Sequence, residues 1–468
     1  MESAAEAVRG VPASASASVS AMRMGTGVSA GGIFLVLVTI CVFLLPALIY
    51  FPPTPPSRSD ALLQTHALAG VAPSQSGLKK RKKQGRESSA GSKEGKIRSL
   101  WVYPVKSCKG IEVAQAKVLP SGLEFDRLYT LAQLKSPFPV SLDASTEEKT
   151  RHEWAFVTQR QYPRLATVQV DLYLPDIVKS KFTGQIFNPA EAFIVLRFPW
   201  QERGWQGKLD WLVAKLGRGR HALPEKEIVL PVAFPTGAEI AENGYKYEEV
   251  RIWKDTVTAL NMEAELPKEL PQYLGVSNKL GIFRVDPARL RQVYRCAPTK
   301  AEAGYQPVTG FQDAYPLHLL NLSSVRDLET KIEKDEELTF LDPRRFRANI
   351  IVDGVDAYDE DTWKTVKFKP APSATRREET TCHVSCRTVR CKMPNVDPDS
   401  GLRHPVEPDK SLRKHRDVDE GAKHNGCLGM QLTPLFDKVD SLDSMESWLE
   451  VGMSVDVVER GQHKYIAQ

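Results

Sequence analysis

Residues 97–131 read IRSLWVYPVKSCKGIEVAQAKVLPSGLEFDRLYTL, and this stretch decides the fold class. Ile97–Val105 alternates in polarity and is rich in β-branched and aromatic residues, which predicts a strand ending at a turn. Ile111–Leu119, Leu123–Leu131 and Trp154–Thr158 predict three more strands, with Gly110 and Ser121-Gly122 as punctuation. A meander of this kind builds a small barrel or sandwich. Farther along, Leu317–Leu320, Ala348–Val352, Val384–Val389 and Ser454–Glu459 predict further strands. Isolated helices are predicted over Leu209–Leu216 and Val325–Lys334, the second opened by a capping box of Ser324 and Asp327. Residues 136–152 are polar and read as an exposed loop. Short strands with scattered helices, rather than alternating βαβ units, describe a strand-rich α+β architecture.

Upstream the chain changes character. No charged residue occurs from Met24 to Ser57, and Ile33–Phe51 reads IFLVLVTICVFLLPALIYF. At 1.5 Å rise per residue this run approaches the roughly 30 Å hydrocarbon core of a bilayer, which predicts a single transmembrane helix over 31–51. The long leader, its acidic Glu2 and Glu6 and the poor cleavage context PALIYFPP argue against a cleaved signal. Residues 1–30 are Ala/Ser/Gly-rich and 52–96 are Pro/Ser/Gly/Lys-rich, so both are expected to be disordered. The KKRKK cluster at 79–83 places the larger body on the cytosolic side of the anchor.

The chain has 468 residues, 42% apolar and 26% charged, enough to bury a sizeable core. Its net charge of +5 is concentrated in 52–96, where nine Lys/Arg face three acidic residues, leaving 97–468 at −1. A nearly neutral body lacks the basic surface that a nucleic-acid partner requires. Seven cysteines, thinly spaced, do not form a secreted disulfide scaffold. There is no phosphate-binding G-x-x-x-x-G-K-[ST], no H-E-x-x-H and no G-x-S-x-G. Cys382, His383, Cys386 and Cys391 fit neither zinc-ribbon nor ferredoxin spacing. A packing role is the favoured reading for Cys382, Cys386 and Cys427 over a metal or redox role. A single thiolate at Cys391, beside Arg390, suits a soft metal. Two turns carry anion chemistry. Tyr103–Gly110 combines a lysine, a hydroxyl and backbone N–H groups, and Asp126-Arg127 adds a guanidinium fork.

Taken in order, YPVKSCKG (103–110), DRLY (126–129) and FVTQRQYPRL (156–165) resemble the N-terminal β-barrel half of MOSC-domain proteins. DAYPLHLLNLSSVRDL (313–328), RFRANIIVDGVDAYDEDTW (345–363), VRCKMPNVDPDSG (389–401) and GCLGMQL (426–432) resemble the MOSC domain proper. Within that family the resemblance is to the membrane-anchored amidoxime-reducing components of mitochondria. It implies an N-terminal β-barrel domain with insertions over 97–300 and a MOSC β-barrel domain over 301–468.

It also implies a molybdenum cofactor, with Cys391 as catalytic metal ligand and Lys106, Ser107 and Arg127 on the cofactor phosphate. Arg347 and Asn349 would make further cofactor contacts, and Asp313 lies in the pterin-side segment. Thr158 and Arg160 are substrate-side candidates in the frame T-x-R-x-x-P-R-L, which also contains Arg164. The implied activity is reduction of N-hydroxylated compounds, with electrons from a cytochrome b5-type donor and its reductase. The implied location is the mitochondrial outer membrane, with the endoplasmic reticulum second. The alternative is a tethered molybdenum-cofactor or sulfur carrier without turnover. A cofactor sulfurase is disfavoured, since its pyridoxal-phosphate half has no room before residue 97. Ala348, where the family often has proline, and the extra stretches 136–152, 175–260 and 372–381 depart from the pattern.

Overall fold

A computed structural model describes residues 29–50, 58–78 and 94–466, apart from 137–140, 142, 177, 180–187, 189, 220–221, 372–375 and 442–443. The leader, most of the segment 79–96 with its KKRKK cluster, and residues 51–57 lie outside the described residues. The chain divides into two compact units, 1–55 and 56–468.

In the first unit the apolar run forms a 21-residue helix, Ala30–Tyr50, without a charged residue. Its side chains are described only as far as residue 43. Among the described residues no helix is long and apolar enough to cross a membrane.

The second unit is strand-rich α+β. Its largest sheet runs, neighbour by neighbour, Ile350–Asp353, Leu317–Asn321, Cys427–Leu435, Thr380–Val389, Trp363–Lys369, Ser454–Arg460, Gly95–Val102 and Ile111–Val113. Because Gly95–Val102 also pairs with Ile350–Asp353, seven of these strands close on themselves. The ring is antiparallel except where Leu317–Asn321 meets Ile350–Asp353. A second closed barrel contains Lys246–Ile252, Asp255–Asn261, Leu280–Val285, Tyr129–Lys135 and Glu153–Phe156. The strand Gly95–Val102 thus pairs with strands beyond residue 350, while the chain just after it supplies the other barrel. This crossover brings the turn at 103–110 between the two barrels. A dry core of aliphatic side chains, among them Leu100, Val105, Leu131, Leu319 and Val384, runs through both.

Three expectations are corrected. The segment 52–96 is not disordered throughout. Arg58–Leu62 forms a helical turn, and His66–Leu68 pairs with Gln169–Pro175. Leu62 is fully buried against Tyr173, Phe193 and Val195, apolar burial that composition averages hid. The strand expected over Leu123–Leu131 is broken, because the Asp126 side chain and the Arg127 backbone bond Tyr103 instead of a ladder. Asp126 Oδ1 accepts from Tyr103 N (2.9 Å), and Arg127 N donates to Tyr103 O (2.7 Å). The late helix spans Leu322–Thr330 and is capped by Asn321, whose side chain accepts from Ser323 N. Ser324 instead donates to the buried Glu360 (2.6 Å).

Candidate active site: a cationic cavity between the barrels

The first wall is the turn after Gly95–Val102. Lys106 N donates to Tyr129 O (2.8 Å) and Cys108 N to Val105 O (3.2 Å), which fixes the loop between them. Ser107 then adopts φ 67°. Arg127 (φ 53°) and Arg347 (φ 53°) are also left-handed, as is Trp253 (φ 56°) at a hairpin tip. Residues without a glycine's freedom hold such backbones only where surrounding packing enforces them, and they concentrate at functional sites. All four line one cavity of about 590 Å³.

Every residue expected at the site lines this cavity: Lys106, Ser107, Arg127, Thr158, Arg160, Asp313, Arg347, Asn349 and Cys391. Arg164 does not; it donates to Tyr273 O (2.9 Å) and stacks on that ring, holding the 163–167 turn to the neighbouring helix. Residues that sequence reading did not single out complete the lining, notably His318, Trp253, Gln312 and Met393.

The electrostatics are one-sided. Lys106, Arg127, Arg160, Lys254, Arg347, Arg387 and Arg390 face the cavity against only Asp255 and Asp313. Lys106 Nζ donates to Phe311 O (2.7 Å) and Asp313 (2.6 Å), and burial pulls its pKa down from the usual lysine value despite that carboxylate. Burial works against the Asp313 anion, but Lys106, the Trp253 indole N–H (3.1 Å) and Arg127 outweigh it. Its carboxyl is held well below the ordinary range.

Arg127 binds Asp126 (2.5 Å) and reaches Arg347 O (3.3 Å). Arg347 donates through Nη1 to Cys108 O (2.6 Å), while Nη2 is buried without a partner. The Tyr103 ring lies beneath both guanidiniums, at 4.9 Å from Arg127 and 4.2 Å from Arg347. Burial lowers Arg347 to about 10 and Arg390 likewise to about 10. Burial, reinforced by Arg390 and Arg127, depresses His318 far below its usual value, so its ring is neutral. Its Nε2 lies 3.4 Å from Arg390 Nη1. Gly429 (φ +82°) is required here, since a Cβ would sit 2.6 Å from that nitrogen.

Asn349 is committed to the scaffold. Its amide donates to Trp101 O (3.1 Å) and accepts from His318 N (3.2 Å), and its remaining reach is toward Arg127 (3.4 Å). Cys391 is half-buried, just past the strand Thr380–Val389. The loop after it is clamped by Arg345 on Asp397 (2.8 Å) and by the fork of Arg344 on Asp399 (3.0 and 2.6 Å). Among the described residues no group of three or more His, Cys, Asp or Glu converges to hold a metal. A metal held at Cys391 would therefore have to draw the rest of its coordination sphere from a bound group. The orphaned Nη2 of Arg347 and the cation excess fit an anionic, phosphate-bearing occupant.

The family model of the MOSC N-terminal beta barrel domain matches residues 94–186, and that of the MOSC domain matches 306–454. The chain is a MOSC-domain protein. Relatives include mitochondrial amidoxime reducing component 2 of Rattus norvegicus, 23% identical over 76% of this chain and 82% of that protein. Mitochondrial amidoxime-reducing component 1 of Homo sapiens is 23% identical over 69% of this chain and 73% of that protein. The cavity draws on both MOSC segments, with Lys106, Ser107, Arg127, Thr158 and Arg160 from the first and Asp313, Arg347, Asn349 and Cys391 from the second.

Proposed function

We propose that this MOSC protein is a molybdenum-cofactor reductase of N-hydroxylated compounds, amidoximes and hydroxylamines, tethered to a mitochondrial membrane by its apolar segment 31–51. The observation that carries the reading is the cavity itself: one half-buried cysteine facing a crowd of cations, one of them with an unsatisfied buried N–H. When bound, the cofactor supplies the two-electron chemistry that takes an oxygen atom from nitrogen.

The chain's own residues prepare that chemistry. Cys391 offers the thiolate ligand, on a loop that Arg344 and Arg345 hold still. Lys106, Arg127 and Arg347 form the phosphate cradle, with Ser107 at its turn. Lys106 Nζ, which Asp313 also engages, and the free N–H of Arg347 would hold the phosphate of a bound cofactor. Asn349 orients Arg127 and His318 through its side-chain oxygen, which accepts from Arg127 Nη1 and from the His318 backbone N–H. Neutral His318 accepts from Arg390 and adds no further positive charge. Thr158 and Arg160 form the substrate side. Electrons come from a cytochrome b5-type donor and its reductase, which an anchor would keep in the same membrane plane. The cytosol-facing side of the outer membrane is the expected site.

The test is turnover of benzamidoxime by the full chain, reconstituted with cytochrome b5 and its reductase. Reduction that scales with molybdenum content supports the reading. Full cofactor content without turnover would make the protein a carrier instead.

A further inference from the structure

The helix Trp205–Arg218 (WQGKLDWLVAKLGR) joins two strands of the sheet formed by His66–Leu68, Gln169–Pro175, Phe193–Pro199 and Glu225–Pro231. Its inward face is Gly207 and Ala214. Gly207 sits so close to the preceding loop that a Cβ there would lie 1.7 Å from Glu202 O. The opposite face carries Trp205, Leu209, Leu212 and Leu216 at spacings of four, three and four residues, a continuous helical stripe. That stripe is not covered: Trp205 is 80% exposed, Leu216 79%, Leu212 47% and Leu209 44%. Lys208 and Lys215 flank it and lie over the rings of Trp205 and Trp211 (5.2 and 5.5 Å).

An apolar stripe with tryptophan, bordered by lysines, is what a helix lying in a lipid–water interface needs. Its charge complements an anionic leaflet. The connectivity supports the same occupant. Only seven residues separate Tyr50 from Arg58. The chain re-enters the body at Ser59, whose N–H donates to Glu227 (3.2 Å). Glu227 pairs with Arg197, and Glu225 pairs with Pro199, beside the point where the chain departs for the helix. Re-entry and stripe therefore occupy one end of one sheet. We propose that Trp205–Arg218 lies flat on an anionic membrane surface and docks the catalytic body against it. This rests on the anchoring half of the proposed function for its orientation, and on the exposed stripe for its chemistry.

The apolar segment contains no tryptophan, so indole fluorescence reports the body alone. The full chain is reconstituted into phosphatidylcholine vesicles with and without phosphatidylserine, and brominated lipid is titrated in. The expected result is quenching of up to two of the eight tryptophans, abolished by Trp205→Phe with Trp211→Phe and weakened in anionic vesicles by Lys208→Glu with Lys215→Glu. Equal quenching in the Trp→Phe pair, or none in the parent, overturns the inference. So does protection of these indoles from both brominated lipid and aqueous iodide, which would assign the face to a protein partner or a second copy. Resistance to alkaline carbonate is read separately. Extraction of a chain that is still quenched would remove the anchor and leave the docking face standing.

Discussion

The strand Thr380–Val389 and its exit place two cysteines in opposite worlds. Cys382 points into the dry core with Val366, Val384 and Leu432, fully buried, and burial pushes its thiol up to about 12. Cys391, nine positions on, is half-buried on the wall of a cavity crowded with guanidiniums. Residue type is shared; solvent access and neighbouring charge are not. Thiol chemistry belongs to the environment and not to the spacing of cysteines along the chain. Cys108 makes the same point within the cavity's own turn. Its side chain turns inward and rises to about 12, while its carbonyl receives Arg347.

The comparison breaks most visibly at Cys391. Cys391→Ala is expected to abolish benzamidoxime reduction in the reconstituted system while shifting unfolding free energy by less than about 1 kcal/mol. Retained turnover would show that the cavity thiol is not the ligand.

The buried thiols set an alkaline limit. Cys108, Cys382 and Cys427 are raised from 9.0 to about 12 in the folded chain. Between those values the unfolded chain binds fewer protons than the folded one, so stability falls as pH rises. The slope is about 1.4 kcal/mol per pH unit for each thiol, and below pH 9 the effect vanishes. Urea melts at pH 8 and pH 10.5 measure it; identical midpoints would contradict the burial.

Arg347 sharpens the cavity side of the comparison. Losing its charge-assisted bonds in Arg347→Met should cost about 1.5–3 kcal/mol of cofactor binding, roughly 10- to 100-fold in retention. In cofactor-free protein the same change should be neutral or stabilising, because it removes a buried N–H without a partner. Thermal melts of both forms check the sign reversal. On the core side, Cys382→Ser should cost about 1–3 kcal/mol by burying a new hydroxyl, with turnover per bound molybdenum unchanged.

Sequence motifs brought nine residues from six segments to one cavity because each sits in a short turn whose backbone is locally determined. Lys106, Arg127 and Arg347 are held by bonds to adjacent strands, and their place at one site was read from the resemblance of the surrounding motifs to the MOSC family. Trp253 and His318 were not legible in this way. Trp253 reaches Asp313 only because a hairpin tip arches across the two segments, and His318 enters because Gly429 leaves room for its ring. The same holds for the fold. Regular strands announced themselves by alternation. The break at Asp126, the cap at Asn321 and the docking of Arg58–Leu62 depend on partners more than twenty residues away or on a side chain's choice between two acceptors.

Under the proposed function, this cavity would hold a pterin-bound molybdenum through Cys391. Metal and pterin analysis of the full chain purified from a cofactor-replete host tests it most directly. Molybdenum and pterin are expected in equal amounts in the parent protein, with molybdenum lost in Cys391→Ala and both lost in Arg347→Met. A parent protein carrying neither, or a Cys391→Ala variant that keeps its molybdenum, would contradict it.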